Sequence, residues 1–148
     1  MPDIAFYHLT RTGPDQALPA LLGRTLAAGE RAVVLCTTEE RVAALDTALW
    51  LSPNPDWLPH GSKATGNADL QPIWLTTTEE APNNARFLFL IDGAQAAHPE
   101  RFARIFDLFD GTEEPALIAA RERWKAAKAA GHTLTYWQQT PRGWEKKA

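Results

Sequence analysis

Four residues near the C-terminus have types and spacing that could do chemistry together: Arg121, Trp124, Lys125 and Lys128. In a helix, Leu117, Arg121, Trp124 and Lys128 fall at i, i+4, i+7 and i+11 and share one face, which Lys125 borders. A guanidinium can hold a carboxylate through two parallel hydrogen bonds. An indole offers a flat apolar surface, and ammonium groups attract further anions without fixed geometry. Such a set suits a ligand carrying an anionic group beside an apolar one. The competing arrangement is structural: a helix has to bury one face, which would pack Trp124 on a sheet with Arg121 as its lid.

The other reactive residue types do not form a catalytic set. Asp92 follows the apolar run Arg86–Ile91, as a Mg²⁺-binding acid follows a strand in NTPases. The chain has no G-x-x-x-x-G-K-[ST] loop, and no G-x-G-x-x-G follows its first strand, so nothing would cradle a phosphate. Asp92 therefore reads as a turn cap at a strand end. His8, His60, His98 and His132 are scattered without metal-ligand spacing, and each reads as a surface or capping residue. Cys36 is alone, which excludes an internal disulfide and a multi-cysteine metal site; at a strand end it reads as a buried, inert thiol. No G-x-S-x-G elbow is present. The expectation is a protein that is not itself an enzyme and needs no cofactor or metal.

Charge is unevenly placed. The net charge is −3, but Met1 to Ile118 holds 8 Lys/Arg against 16 Asp/Glu, while Ala119 to Ala148 holds 7 against 2. That asymmetry points to an anionic partner for the C-terminal part. The acidic remainder argues against a surface that wraps nucleic acid. Hydrophobic residues make up 45%, ordinary for a globular chain. No apolar run is long enough to span a bilayer, and the N-terminus lacks the pattern of a signal peptide, so the expected location is the cytoplasm.

The elements that must position these residues can be read in order. Ile4–Leu9 is a strand, Asp15–Ala28 a helix stopped by Gly29, and Arg31–Cys36 a β-branched strand suited to the centre of a parallel sheet. Thr37 with Glu40 forms a capping box for a helix that runs to Trp50, and Ser52–Pro55 breaks it. Trp57–His60 reads as a short strand, Gly61–Leu70 as a loop, Ile73–Thr76 as a strand, Thr77–Ala85 as a loop and Arg86–Ile91 as a central strand. Pro99–Phe109 reads as a helix with Phe102, Ile105, Phe106 and Phe109 on its apolar face. Glu113–Gly131 is the helix that carries Arg121. Pro115 suits its first turn, Glu113 and Glu114 favour its positive end, and Gly131 ends it. His132–Gln138 is a last strand, and Thr140–Gly143 is a turn that folds Trp144 back as a hairpin. Alternating strands and helices predict one α/β domain over residues 1–148, a largely parallel sheet flanked by helices.

The pattern resembles the chi subunit family of bacterial DNA polymerase III. The residues that carry the resemblance are Ala5-Phe6-Tyr7, Leu45-Asp46 with Ala48-Leu49-Trp50, Leu58-Pro59-His60, and above all Ala120-Arg-Glu-Arg-Trp-Lys125 followed by Ala130-Gly131. The resemblance runs from Ile4 to about Tyr136 and leaves 137–148 as a C-terminal extension. It implies a Rossmann-like α/β fold without a phosphate-binding loop, and a non-catalytic adaptor. The implied partners are the acidic C-terminal tail of single-stranded DNA-binding protein, ending in Pro-Phe, and the psi subunit, which ties chi to the clamp loader. Carried over by position, the tail-binding residues are Arg121, Trp124 and Lys125, with Phe109 as an apolar wall. The family has a lysine one turn before Arg121 where this chain has Leu117, a loss that Lys128 can offset.

Two other functions make different demands. A nucleotide-dependent protein or enzyme would bind its ligand near Asp92. Direct nucleic-acid binding through the C-terminal cations would show a steep salt dependence with DNA alone.

Overall fold

The computed structural model describes residues 2–53 and 58–148. Among them, eight strands form one open sheet: β1 (Asp3–Leu9), β2 (Ala32–Leu35), β3 (Gly61–Ser62), β4 (Ile73–Thr76), β5 (Phe87–Ile91), β6 (Arg104–Asp110), β7 (Thr133–Thr140) and β8 (Gly143–Lys146). Their spatial order is β3-β4-β2-β5-β6-β1-β7-β8. Every neighbouring pair is parallel except the β7–β8 hairpin, where Gln139 faces Trp144.

Three helices cover the sheet: α1 (Pro14–Ala27), α2 (Glu39–Leu51) and α3 (Glu114–Ala129). The first two bury Leu18, Leu22, Leu45 and Leu49 against Val34, Phe89 and Leu108 on one face. The third lays Leu117, Ala120 and Trp124 on the opposite face, over Phe6, Ile105 and Phe109. Strands covered on both sides have to be apolar at every position. Accordingly, all four residues of β2 are buried, as are four of the five in β5. Gly29 and Gly131 stop α1 and α3 at φ 78° and 86°, where any other residue would be strained.

Three sequence expectations are corrected. Pro99–Phe109 is not a helix: Pro99–Arg101 is one 3-10 turn, and the following residues are β6. The helical spacing of Phe102, Ile105, Phe106 and Phe109 coincides with a strand buried on both faces. In β6, Ile105 and Phe109 point toward α3, while Phe106 and Leu108 point toward the α1–α2 side. A helix there could bury only one of these sets. The cap of α2 is Thr38 rather than Thr37: its side chain accepts from the Arg41 amide at 3.1 Å, and Glu40 takes no part. The strand expected over Trp57–His60 falls elsewhere. Trp57 lies outside the described residues, 58–60 are irregular, and pairing begins at β3.

Candidate functional site

The expected helical site residues lie along α3, which runs from the end of β6 back to the start of β7. The chain folds this way locally because Leu117, Ala120 and Trp124 form the inward stripe of an otherwise polar helix. Arg121 and Lys128 lie next to that stripe on the solvent side. Arg121 is exposed, as is Lys128 near the helix end. The one face expected for Leu117, Arg121, Trp124 and Lys128 is thus split. Its first and third members pack on the sheet, and its second and fourth turn toward water.

Trp124 is therefore half-buried on the sheet, as in the competing structural arrangement. Its indole meets Phe6 edge-on at 5.3 Å and Tyr136 at 5.6 Å, the perpendicular geometry that aromatic pairs favour. Phe109 is buried at 4% exposure on β6, beneath these rings. The imidazole of His8 stacks on it at 5.1 Å, and Tyr136 lies 6.1 Å away. Lys125 is exposed and reaches Glu122 at 3.5 Å, a contact too open to water to hold it firmly.

Sequence reasoning missed two residues that complete this ring cluster. The Tyr136 hydroxyl and His8 Nδ1 share a hydrogen bond of 2.9 Å across 128 residues of chain. His8 also presses on Gly111, where an added Cβ would lie 1.8 Å from Nε2. Burial, and then the charge of Arg121, holds the His8 pKa below its usual value. Burial raises the Tyr136 pKa, with Arg121 pulling the other way. The guanidinium of Arg121 thus acts electrostatically on both rings, and no carboxylate pairs with it among the described residues. What results is a cluster of half-buried rings with the unneutralised cation of Arg121 beside it and the exposed Lys125 and Lys128 farther along the helix. It can receive an anionic group and an apolar one side by side.

The opposite flank of α3 is anchored by a residue outside the expected set. Arg123 donates from Nε and Nη2 to the two carboxylate oxygens of Asp107, at 2.7 and 3.0 Å. Asp107 is 3% exposed, and burial pushes its pKa up against the pull of Arg123. The available signal was an acid within the apolar run of Ile105 to Phe109.

The surroundings of Asp92 do not resemble a phosphate site. Asp92 sits in a turn at φ 55° and accepts a 2.6 Å bond from Arg41 Nε, while Arg41 also binds Asp15. The adjoining cleft of about 450 Å³ is lined by Asp92, Asp110 and Glu113, and its one cation, Arg123, is committed to Asp107. In nucleotide-binding sheets of this kind the phosphate rests on the loop after the first strand. Here the amides of Thr10, Arg11 and Thr12 all donate to Gln139 Oε1, at 3.2, 2.9 and 3.1 Å.

The remaining candidates are also placed. Cys36 is 2% exposed, and burial pushes its thiol up to about 12. His60 is not a surface residue: it is buried under Trp50, with its ring nitrogens 2.7 Å from the Leu58 carbonyl and 3.1 Å from that of Asp46. This contact joins two of the short motifs read in the sequence. No group of three or more His, Cys, Asp or Glu among the described residues is placed to hold a metal ion. No described helix is long and apolar enough to cross a membrane.

An open, mostly parallel α/β sheet with a filled first loop and a cationic last helix packed on it through Trp124 defines the class of the molecule. The family model of the DNA polymerase III chi subunit, HolC, matches residues 1–135. The chain belongs to that family. Among curated relatives, the DNA polymerase III subunit chi of Escherichia coli (strain K12) is 28% identical over 121 residues, 81% of this chain and 82% of the relative. The probable DNA polymerase III subunit chi of Rickettsia prowazekii (strain Madrid E) is 27% identical over 109 residues, 72% of this chain and 66% of that relative. Tyr136 and the β8 hairpin lie beyond the family match.

Proposed function

We propose that this protein is a non-catalytic adaptor of the replication machinery. In this reading it binds the acidic C-terminal tail of single-stranded DNA-binding protein and, through psi, connects that protein to the clamp loader. Residues 1–148 act as one unit, and the reading belongs in the cytoplasm with the rest of the replisome. The observation that carries it is the unpaired guanidinium of Arg121 beside the Trp124–Tyr136–His8 ring cluster. A chain ending in Pro-Phe offers a terminal carboxylate to Arg121 and a ring to the exposed edges of Trp124 and Tyr136. Phe109 supports that surface from beneath. Lys125 and Lys128 steer the upstream aspartates. Leu117, half-buried one turn before Arg121, adds apolar surface in place of the lysine that the family resemblance implies there. The second expected function, a nucleotide site near Asp92, gains nothing from a carboxylate-lined cleft.

The test is a titration of the full chain with a fluorescent peptide of several aspartates ending in Pro-Phe. Binding is expected in the micromolar range and weakens with salt. Arg121→Ala weakens it about tenfold to a hundredfold while leaving psi binding intact. Unchanged binding by Arg121→Ala, or none by folded wild type, contradicts the proposal.

A further inference from the structure

The opposite face of the sheet carries a cavity of about 310 Å³ that the adaptor reading does not use. It opens where α1 ends and leaves β6, β1 and β7 uncovered. Tyr7, Phe106, Trp137 and Trp144 line it, together with Arg24 and Arg104. Tyr7 and Trp137 lie nearly parallel, 10° apart in plane, and Trp144 stands perpendicular to Tyr7 at 4.9 Å. Trp137 spends its indole N–H on Thr135 Oγ1, so its free surface is its ring face.

Two features give this cavity a ligand class. First, its guanidiniums are unneutralised. Arg41, Arg86 and Arg123 each pair with a carboxylate. Arg24 and Arg104 pair with none among the described residues, although Asp3 is the register neighbour of Arg104. Arg104 instead lies over the Phe87 and Phe106 rings, at 5.6 and 5.1 Å. Both guanidiniums act on the Tyr7 hydroxyl, so two like charges share one apolar cleft. Lys146, the register partner of Trp137, adds a third cation on the same face. Second, β6, β1 and β7, the strands beneath Tyr7, Phe106 and Trp137, are each hydrogen-bonded on both sides, so an extended peptide cannot add a strand among them; only β8, which carries Trp144, ends the sheet on this side. Flat bases need no backbone partner, and they stack on aromatic side chains whatever their identity.

We propose that this cavity binds nucleotides of single-stranded nucleic acid, with a base against the Trp137 and Trp144 indoles and the adjoining phosphate between Arg24 and Arg104. Both indoles lie outside residues 1–135, the stretch matched by the family model. The site is separate from the ring cluster beside Arg121.

The test is fluorescence anisotropy of a labelled eight-nucleotide oligothymidylate with the full chain at low salt. The expected result is saturable binding. Arg24→Gln with Arg104→Gln weakens it at least tenfold, and the log–log salt slope becomes shallower by about 0.7 for each phosphate no longer neutralised. Trp144→Leu weakens it about tenfold, and Arg121→Ala leaves it unchanged. Arg104 packs on two rings, so its variant is checked by near-UV circular dichroism. Arg24→Gln alone, near the end of α1, still weakens binding severalfold. Three results overturn the proposal: no binding by folded wild type, loss on Arg121→Ala rather than on Arg24→Gln, or free thymidine monophosphate binding as tightly as the oligomer. Capture of an acidic peptide here without the oligomer does so as well.

Discussion

Replacing Arg123 by alanine strips the only counter-charge among the described residues from a carboxylate that is 3% exposed. Two charge-assisted hydrogen bonds go, at 2.7 and 3.0 Å, and the pair is too buried for water to replace them. Breaking such a pair from one side costs about 3–5 kcal/mol. For a chain of this length each kcal/mol shifts Tm by about 2–4 °C, so the expected loss is on the order of 10 °C. Urea unfolding at pH 7.5, followed by tryptophan fluorescence, reads it as a lower midpoint with an unchanged slope. The deficit also depends on pH. The folded pKa of Asp107 is raised above its ordinary value, so over that window the folded state binds more protons, and stability falls as pH rises. Arg123→Ala widens the window, so its deficit is largest at neutral pH and shrinks on acidification. Replacing both partners with leucine restores most of the loss, because no charge is left buried. A cost below about 1 kcal/mol for Arg123→Ala, the range of an exposed pair, refutes the reasoning.

Three further outcomes are expected. Gly111→Ala places a methyl group 1.8 Å from the His8 ring and displaces it, costing about 1–3 kcal/mol and weakening peptide binding; denaturant unfolding and peptide titration check both. The lowered pKa of His8 means that its stabilising contribution is complete above about pH 6.5 and is lost as pH falls through its folded value, so His8→Gln flattens the acid limb of a stability–pH profile. The Cys36 thiol, pushed up to about 12, reacts with a thiol reagent at pH 8 no faster than the chain unfolds, and denaturant removes the protection.

The sheet and its helices were legible wherever one local signal decided the element. Gly29 and Gly131 marked helix ends through their backbone freedom, and the β-branched run of β2 and the apolar run of β5 could only be central strands. β6 was misread because Phe102, Ile105, Phe106 and Phe109 satisfy a helical spacing and a doubly buried strand equally well. Only its position between β5 and β1 distinguishes them. The cationic helix of the site is legible as an element, but the direction of its residues is not. Whether Trp124 faces water depends on Phe6 and Tyr136, which reach it from β1 and β7. His8, read as a surface or capping residue, and the buried pairing of Arg123, which was left out of the expected site, were hidden for the same reason. Their partners, Tyr136 and Asp107, sit on other strands, and no spacing along the chain encodes those pairings.

The most direct measurement is a thermodynamic cycle between Arg121→Ala and amidation of the C-terminus of the peptide. If Arg121 holds the terminal carboxylate, each change alone weakens binding about tenfold to a hundredfold, the range of a charge-assisted pair. The two changes together cost little more than one. Full affinity for the amidated peptide, or losses that simply add, contradicts the placement of the carboxylate on Arg121 and with it the proposed site.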